Sequence, residues 1–425
     1  MLHNLINNLL NITSILAIFF AFYFSFKLKF SHILGIKELF KKKHNTNEAS
    51  IMSFPIFASI LGGNLGTGNI AGTAIALSMG GMGSLSWMII ICMMTSVIRY
   101  ISTFIGIKTR IHKDNSYHGG PMYYIKSPQL KIIYSISLIL GAITIGNITQ
   151  SNSLSLPILS MGISPILYSG AMMIFVYFVL NGNIKRFVNL SSKMVPWMSF
   201  VYLLMCFIVI IKNYHMIIPA IDACISGMFT NNSLLGGTFG NIINVAMSRA
   251  IFATDTGLGL ESIMHSKVSH KTSNKLARQQ GLISVISPFI VSLICLVTGF
   301  TIYTSGIFHS PFKNLESTNL CFKAFEIGLN WNLASYLLTA ILLLFAFTTM
   351  LTWVFCGEAS IVYLMRNNSK FINFAKKLWH VIFILFIPLG AFMDVQTVWY
   401  VADFIVIIML LSNLISLYFD HRKSI

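Results

Sequence analysis

Gly62-Gly63-Asn64-Leu65-Gly66-Thr67-Gly68-Asn69-Ile70-Ala71-Gly72 lies in the middle of an otherwise apolar segment that runs from about 51 to 79. Such a segment is long enough to cross a bilayer, for which about 20 residues suffice at 1.5 Å of rise each. Its centre nevertheless holds five glycines and two asparagines. Each glycine costs a helix about 1 kcal/mol relative to alanine. A span that loses its helix inside lipid strands N–H and C=O groups that only a polar cavity or a ligand can satisfy. Two readings follow. Either the helix is broken and its half-helix ends hold a small charged ligand, or the glycines form a small-residue packing face.

The rest of the composition narrows the class. Of 425 residues, 55% are hydrophobic and only 10% charged, and the mean hydropathy is +0.76. Soluble domains carry about 25% charged residues. The chain is therefore expected to be all-α and polytopic in a membrane, with eleven spans near 5–26, 51–79, 84–107, 132–158, 165–181, 195–211, 238–264, 281–304, 333–364, 378–393 and 397–418. The formal net charge of +17 suggests nucleic acid until its placement is examined. Alternate connections hold 24 of the 29 lysines and arginines, among them Lys41-Lys42-Lys43, Arg110, Lys267 and Arg422. The opposite connections hold only Lys212, Lys313 and Lys323. The positive-inside rule then puts the N-terminus outside and the C-terminus in the cytoplasm. The charge is a topology signal, and nucleic acid is excluded as a partner. The membrane lipids themselves are the expected surroundings, with anionic headgroups a lesser contact for the basic link before Ser50. The six cysteines show no CxxC spacing and read as small apolar residues.

Two further stretches carry polar groups inside spans. Gly146-Asn147-Ile148-Thr149-Gln150-Ser151-Asn152-Ser153 places Asn147 and Gln150 three apart, so a regular helix presents both on one face. The second is Arg249-Ala250-Ile251-Phe252-Ala253-Thr254-Asp255-Thr256-Gly257-Leu258-Gly259-Leu260-Glu261. Three ionisable residues within one span are costly unless they are used. The plainer reading is a structural pair, Arg249 with Asp255 or with Glu261, and Arg99 pairs with a carboxylate in the same way.

Setting aside the first helix, ten spans remain, and the interrupted ones are the first and the sixth. Five is odd, so the second set of five starts on the opposite side of the membrane. This is the arrangement of inverted repeats, whose binding site is built by discontinuous helices in corresponding positions. The expected divisions are 1–50 for an extra N-terminal helix with its basic link, 51–212 for the first repeat and 213–425 for the second.

With this frame the motifs resemble those of the alanine/glycine:cation symporter family, a branch of the group with the LeuT-type 5+5 inverted-repeat fold. The resemblance runs from about 54 to 414. It rests on Gly66-Thr67-Gly68-Asn69-Ile70-Ala71-Gly72, Gly119-Gly120-Pro121-Met122-Tyr123-Tyr124-Ile125, Gly146-Asn147 with Gln150 and Asn152, and Ile184-Lys185-Arg186 with Val195-Pro196. Later pieces are Arg278-Gln279 with Gly281-Leu282, Phe347-Thr348-Thr349 with Trp353 and Gly357-Glu358, Trp399 with Ala402-Asp403, and Asn413-Leu414. The resemblance implies a substrate carboxylate on the N–H groups of Gly66, Thr67 and Gly68. The substrate ammonium would meet carbonyls near Leu65 and Phe252, with Asn147, Gln150, Asp255 and Gly257 completing the pocket. It also implies a co-transported sodium ion on the carbonyls of Gly62 and Leu65 and the hydroxyls of Thr348 and Thr349, with Asn69 serving a second cation or the pocket. Hard cations take such oxygen ligands.

The sequence departs from the family in places. Phe252-Ala253-Thr254-Asp255-Thr256-Gly257 stands where the family reads Phe-Ser-Asn-Glu-Ala-Gly. Val291 stands in place of an acidic residue, and Ser102 where a glutamate often follows the position of Arg99. The expected function is cation-coupled symport of a small neutral amino acid, alanine or glycine, by alternating access in a bacterial cytoplasmic membrane. A proton carried by Asp255 is the alternative to sodium, and a transport-inactive scaffold or sensor of the same fold is the alternative to transport. A channel would not need paired broken helices. An enzyme would need a catalytic set, and no HExxH or GxSxG is present.

Overall fold

The structure is a computed structural model that describes residues 2–40, 54–113, 116–229, 238–310, 315 and 317–420. The Lys41-Lys42-Lys43 run, the first residues of the span at 51–53, the glycines before 238, Lys313, Arg422 and Lys423 lie outside the described residues.

The described chain is almost entirely helical. The first helix, α1 (Leu2–Lys27), is followed by α2 (Phe54–Asn64), which stops in the glycine-rich stretch and restarts as α3 (Thr67–Thr109). Gly66, with φ −97° and ψ 179°, is the extended residue at the break. Helical bonding runs on to Thr109, but Gly81 (φ 64°, ψ −167°) splits α3 into two consecutive spans, as the Gly80-Gly81-Met82-Gly83 turn requires. Next come α4 (Pro128–Ile143), a π-helical turn at Thr144–Ile148, α5 (Thr149–Ser160), α6 (Pro165–Leu180), α7 (Asn183–Lys212) and α8 (Ile217–Met228).

The second interrupted span is α9 (Thr238–Thr254) and α10 (Leu260–His265). Between them Asp255, Gly257 and Gly259 have φ of 49°, 84° and 86°. Two glycines and an aspartate are residue types that tolerate the left-handed region. The remaining helices are α11 (Asn274–Thr304), α12 (Ser317–Leu329), α13 (Ala334–Leu364), α14 (Ser369–Leu385), α15 (Ile387–Phe392) and α16 (Val395–Phe419).

Where they are described, the expected spans fall on helix apart from the two breaks and a few residues at helix ends. Among the described residues, eight helices are long and apolar enough to cross a membrane. One of them, Pro55–Thr109, carries two of the expected spans, and Pro165–Leu180 and Ile242–Thr254 are shorter apolar helices. The protein is a multi-pass membrane protein. Outward-facing aliphatic and aromatic side chains such as Phe19, Ile166, Phe175, Phe200 and Phe374 coat the perimeter, as a lipid-facing surface requires.

Two packing groups position the site. The α3 half of the broken pair lies along α9, α10 and α11, its α2 half along α7 and α13, and α4 and α5 also lie along α13, with α15 against α5. The first helix lies on α16, where Phe20 and Tyr23 meet Tyr418 at 5.3 and 5.4 Å, and its Asn8 and Asn11 line a cavity.

Candidate substrate and cation site

Residues of both breaks line one small cavity. Its walls include Gly66, Gly68 and Asn69 from the first break, Phe252 and Asp255 from the second, and Ile145, Gln150, Thr349 and Trp353 from α4–α5 and α13. The cavity measures about 10 Å³, room for about one water molecule.

The half-helix that starts at Thr67 offers unpaired N–H groups and about half a positive charge. Gln150 occupies this end. Its amide oxygen accepts from the Thr67 N–H at 3.0 Å and from the Thr67 hydroxyl at 2.9 Å. Gln150 thus supplies, from within the chain, the sp² oxygen that a carboxylate would place there. Asn147 does not join it. The π-helical turn at Thr144–Ile148 interrupts the 3.6-residue phase, and Asn147 Nδ2 instead donates to Phe383 O on α14 at 2.5 Å.

The expected cation ligands partly converge. Thr348 and Thr349 donate their hydroxyls to Gly62 O at 3.1 and 3.2 Å, so three oxygens of the expected set meet on α2 and α13. Leu65 is buried next to the break. Asn69 donates from Nδ2 to Asn64 O at 2.6 Å, closing the last carbonyl of the first half-helix, and it also lines the cavity. The oxygens of Gly62, Thr348 and Thr349 fit a hard monovalent cation.

The ionisable residues pair differently from expectation. Arg249 bonds neither Asp255 nor Glu261. Its Nη2 lies 3.0 Å from Asp403 Oδ2 on α16, and its guanidinium sits 4.4 Å from the Trp399 ring. The break removes the helical phase that would have carried Arg249 round to residues 255 and 261. Those two carboxylates face Arg99 instead. Arg99 donates to Thr254 O. With the Asn64 amide turned so that both ends are satisfied, its oxygen accepts from Arg99 Nη2 at 2.9 Å and its nitrogen donates to Asp255 Oδ2 at 3.2 Å. Ser102, where a glutamate was expected, lies beside Glu261.

Neighbouring elements hold the second break in place. Tyr134 donates to Leu258 O at 2.7 Å, and Asn413 Nδ2 donates to Gly257 O at 2.8 Å. Tyr124 in turn donates to Asn413 Oδ1 at 2.5 Å. The Gly119–Ile125 motif, which reads as a loop when taken alone, is thereby tied to the break. Further toward the basic side, Arg110 stacks 3.8 Å from the Tyr117 ring and donates to the carbonyls of Ser266, Val268 and His270 and to Thr272 Oγ1. Lys267, just past the end of α10, is pushed down to about 8 by burial, against the opposing pull of Glu358.

Beyond the inner cavity lies a second one of about 710 Å³, lined by Asn8, Ser78, Met79, Arg249, Trp399 and Asp403 among others. Phe252 walls the inner cavity and its ring lies 4.6 Å from that of Trp399. A lid of Phe252, Trp399 and the Arg249–Asp403 pair therefore separates the two. The role of Asp403 and Trp399 was not legible in the sequence: a lone carboxylate in an apolar span signals a partner but does not name it.

Residues 1–423 match the sodium:alanine symporter family. The sodium/alanine symporter AgcS of Methanococcus maripaludis is 28% identical over 389 residues, covering 89% of this chain and 83% of that protein. The probable sodium/glutamine symporter GlnT of Bacillus subtilis is 28% identical, covering 95% and 84%. Among solved structures, a manganese transporter of Eremococcus coleocola superposes with a TM-score of 0.52 at 15% identity, covering 88% of each chain, which supports the LeuT-type fold alone. The match over nearly the whole chain and the paired broken helices agree, and the chain belongs to the sodium:alanine symporter family, a family of membrane transporters and not of enzymes.

Proposed function

We propose that this protein couples an inward sodium gradient to uptake of a small neutral amino acid, alanine or glycine, across a bacterial cytoplasmic membrane. Its N-terminus would lie outside and its C-terminus in the cytoplasm, with the repeats divided at 51–212 and 213–425. The observation that carries the reading is Gln150 Oε1 on the N–H and hydroxyl of Thr67. A substrate carboxylate would displace that oxygen and take the donors of Gly66, Thr67 and Gly68. The ammonium group would lie toward the carbonyls of Leu65 and Phe252, with Asp255 and Gly257 on the same side. Sodium would sit on Gly62, Leu65, Thr348 and Thr349, with Asn69 bridging the break to the pocket. Asn147 would position the π-helical turn through Phe383 rather than touch substrate.

The tight walls favour small side chains. With Ile145, Phe252 and Trp353 around a cavity of about 10 Å³, each added methylene demands a further displacement. Coupling requires that sodium and substrate favour the same conformation, and the linkage is reciprocal. Glycine 66 lies against both Gln150 and Thr349, so the carboxylate and cation positions are neighbours, and each ligand would stabilise the other's site.

The test is uptake of labelled alanine and glycine by proteoliposomes under an inward sodium gradient, an inward proton gradient, or neither. Accumulation under the sodium gradient is the expected result. No accumulation of either amino acid under any gradient overturns the proposal and favours the scaffold or sensor reading.

A further inference from the structure

The turn that follows α1 is strained, and it walls a cavity remote in sequence from both breaks. Lys29 and Phe30 have φ of 48° and 55°, the left-handed region that is costly for residues other than glycine. The turn leads α1 into a short helix, Ser31–Leu34, that lies against α11. It brings the Phe30 ring into a stack with His32 at 6.3 Å and edge-on to Phe26 at 5.5 Å. Phe30 and His32 then form one side of a cavity of about 210 Å³. Its other walls include Phe22 and Ser25 of α1, Met93 of α3 and Phe289 of α11. Phe22, Phe30 and Met93 are exposed, so the cavity is a crevice in the perimeter that opens toward lipid.

His32 is out of place in such a wall. It is 1% exposed, it makes no side-chain hydrogen bond among the described residues, and its Nδ1 is enclosed without a partner. Burial pushes its imidazole down to about 4, so near neutral pH the ring is uncharged, with one N–H to give and one lone pair. Whichever nitrogen carries the proton, no acceptor of the protein meets it. The other polar residue of the wall is Ser25. Two polar residues are too few to hold a cluster of waters, each of which needs about two to four polar partners. An apolar chain that ends in an acceptor oxygen fits: the chain fills the crevice and the oxygen takes the imidazole N–H.

Charge narrows the choice further. Lys27 closes α1 and Lys29 sits in the turn itself. Both are exposed, and neither makes an ion pair among the described residues, whereas the nearby Glu38 is taken up by Arg278. An acyl chain that leaves other lipids for an apolar crevice gains little from the exchange, so selection must lie in the headgroup. A lysine near a membrane surface favours an anionic lipid by about fivefold. We propose that the crevice holds one acyl chain of an anionic phospholipid, with an ester oxygen on His32 and the phosphate beside Lys27 and Lys29. The bound lipid ties α1 to α3 and α11, of which α3 carries the first break. The site requires that the chain lie in a membrane and does not depend on what it transports.

The test uses the purified full chain in an uncharged detergent. Phosphatidylglycerol, phosphatidylcholine or inorganic phosphate is added, and native mass spectrometry counts the lipids retained. One phosphatidylglycerol should be retained about tenfold or more tightly than phosphatidylcholine, and inorganic phosphate should not displace it. Lys27→Gln together with Lys29→Gln should bring its retention down to that of phosphatidylcholine. His32→Phe keeps a ring and removes the N–H, and should weaken retention about fivefold, the size of one hydrogen bond. Ile33→Trp adds bulk on an exposed wall of the crevice and should abolish the tight site. It is the second variant if His32→Phe does not fold. Retention of phosphatidylglycerol no tighter than that of phosphatidylcholine overturns the proposal. Loss in the lysine variant with no effect of His32→Phe or Ile33→Trp also overturns it, because charge alone would then gather lipid around the helix end. Displacement by inorganic phosphate overturns it in favour of a free anion.

Discussion

A methyl group at Gly66 would lie 2.8 Å from both Gln150 Oε1 and Thr349 Oγ1, and one at Gly68 would lie 2.6 Å from Phe252 Cε1. Neither neighbour moves freely: Gln150 is bonded to Thr67, Thr349 to Gly62, and Phe252 is packed on Trp399. These glycines therefore leave space that a side chain would fill, at the point where the proposed substrate would approach the backbone. Overpacking of a tight interior costs about 1–3 kcal/mol, which is roughly 5- to 150-fold in an equilibrium. Gly66→Ala is accordingly expected to raise the half-saturating concentrations of both alanine and sodium by about tenfold in the uptake assay, because the added carbon presses on the oxygens of both sites. A change in one ligand's requirement alone would separate the two sites and refute the shared wall.

At the scale of elements, the outer half of the second broken helix is fastened to α16 by Arg249 and Asp403, whose side chains are 9% and 7% exposed. Removing one partner of a buried pair leaves an uncompensated charge and costs about 3–5 kcal/mol, whereas replacing both by apolar groups is often close to neutral. Arg249→Met and Asp403→Leu should each lower the thermal midpoint of the purified protein, and the double variant should be more stable than either single one. A double variant that loses the sum of the two single effects would show that the residues act independently. The pair also marks where the sequence stops being informative. The two breaks were legible because glycines and polar residues inside apolar spans violate a local rule that depends on chain position alone. The hydroxyls of Thr348 and Thr349 and the carbonyl of Gly62 came together as the family resemblance implied. The partner of Arg249 was not legible: Asp403 is 154 residues away, and only the packing of α9 against α16 chooses it over Asp255. The direction of Asn147 was not legible for a different reason, since a π-helical turn changes side-chain direction without a sequence mark that a regular helical phase would reveal.

At the scale of the whole molecule, the two cavities and the contacts around them describe one conformation of a cycle. The large cavity of about 710 Å³, which the proposed orientation puts on the outer side, ends at the Phe252–Trp399 lid, and the central cavity beneath it is nearly filled. On the basic side, Arg110 holds the 266–272 loop while Tyr124, Tyr134 and Asn413 hold the second break. Under the proposed function, substrate entry would lift the lid and displace Gln150, and release on the other side would part the contacts of Arg110 and Tyr124. Ligands that prefer one state shift the population toward it by their differential affinity. Ser78 lines the outer cavity and is exposed, whereas all six native cysteines are buried free thiols. A Ser78→Cys variant should react with a membrane-impermeant maleimide applied from the outside, on a nearly silent native background. Sodium and alanine together should slow that reaction several-fold, roughly the ratio by which coupled ligands shift such equilibria, and sodium alone should slow it less. Labelling only from the cytoplasmic face would invert the proposed orientation. Labelling from outside that ignores both ligands would mean that the outer cavity does not close when the central site fills, and alternating access around this site would have to be abandoned.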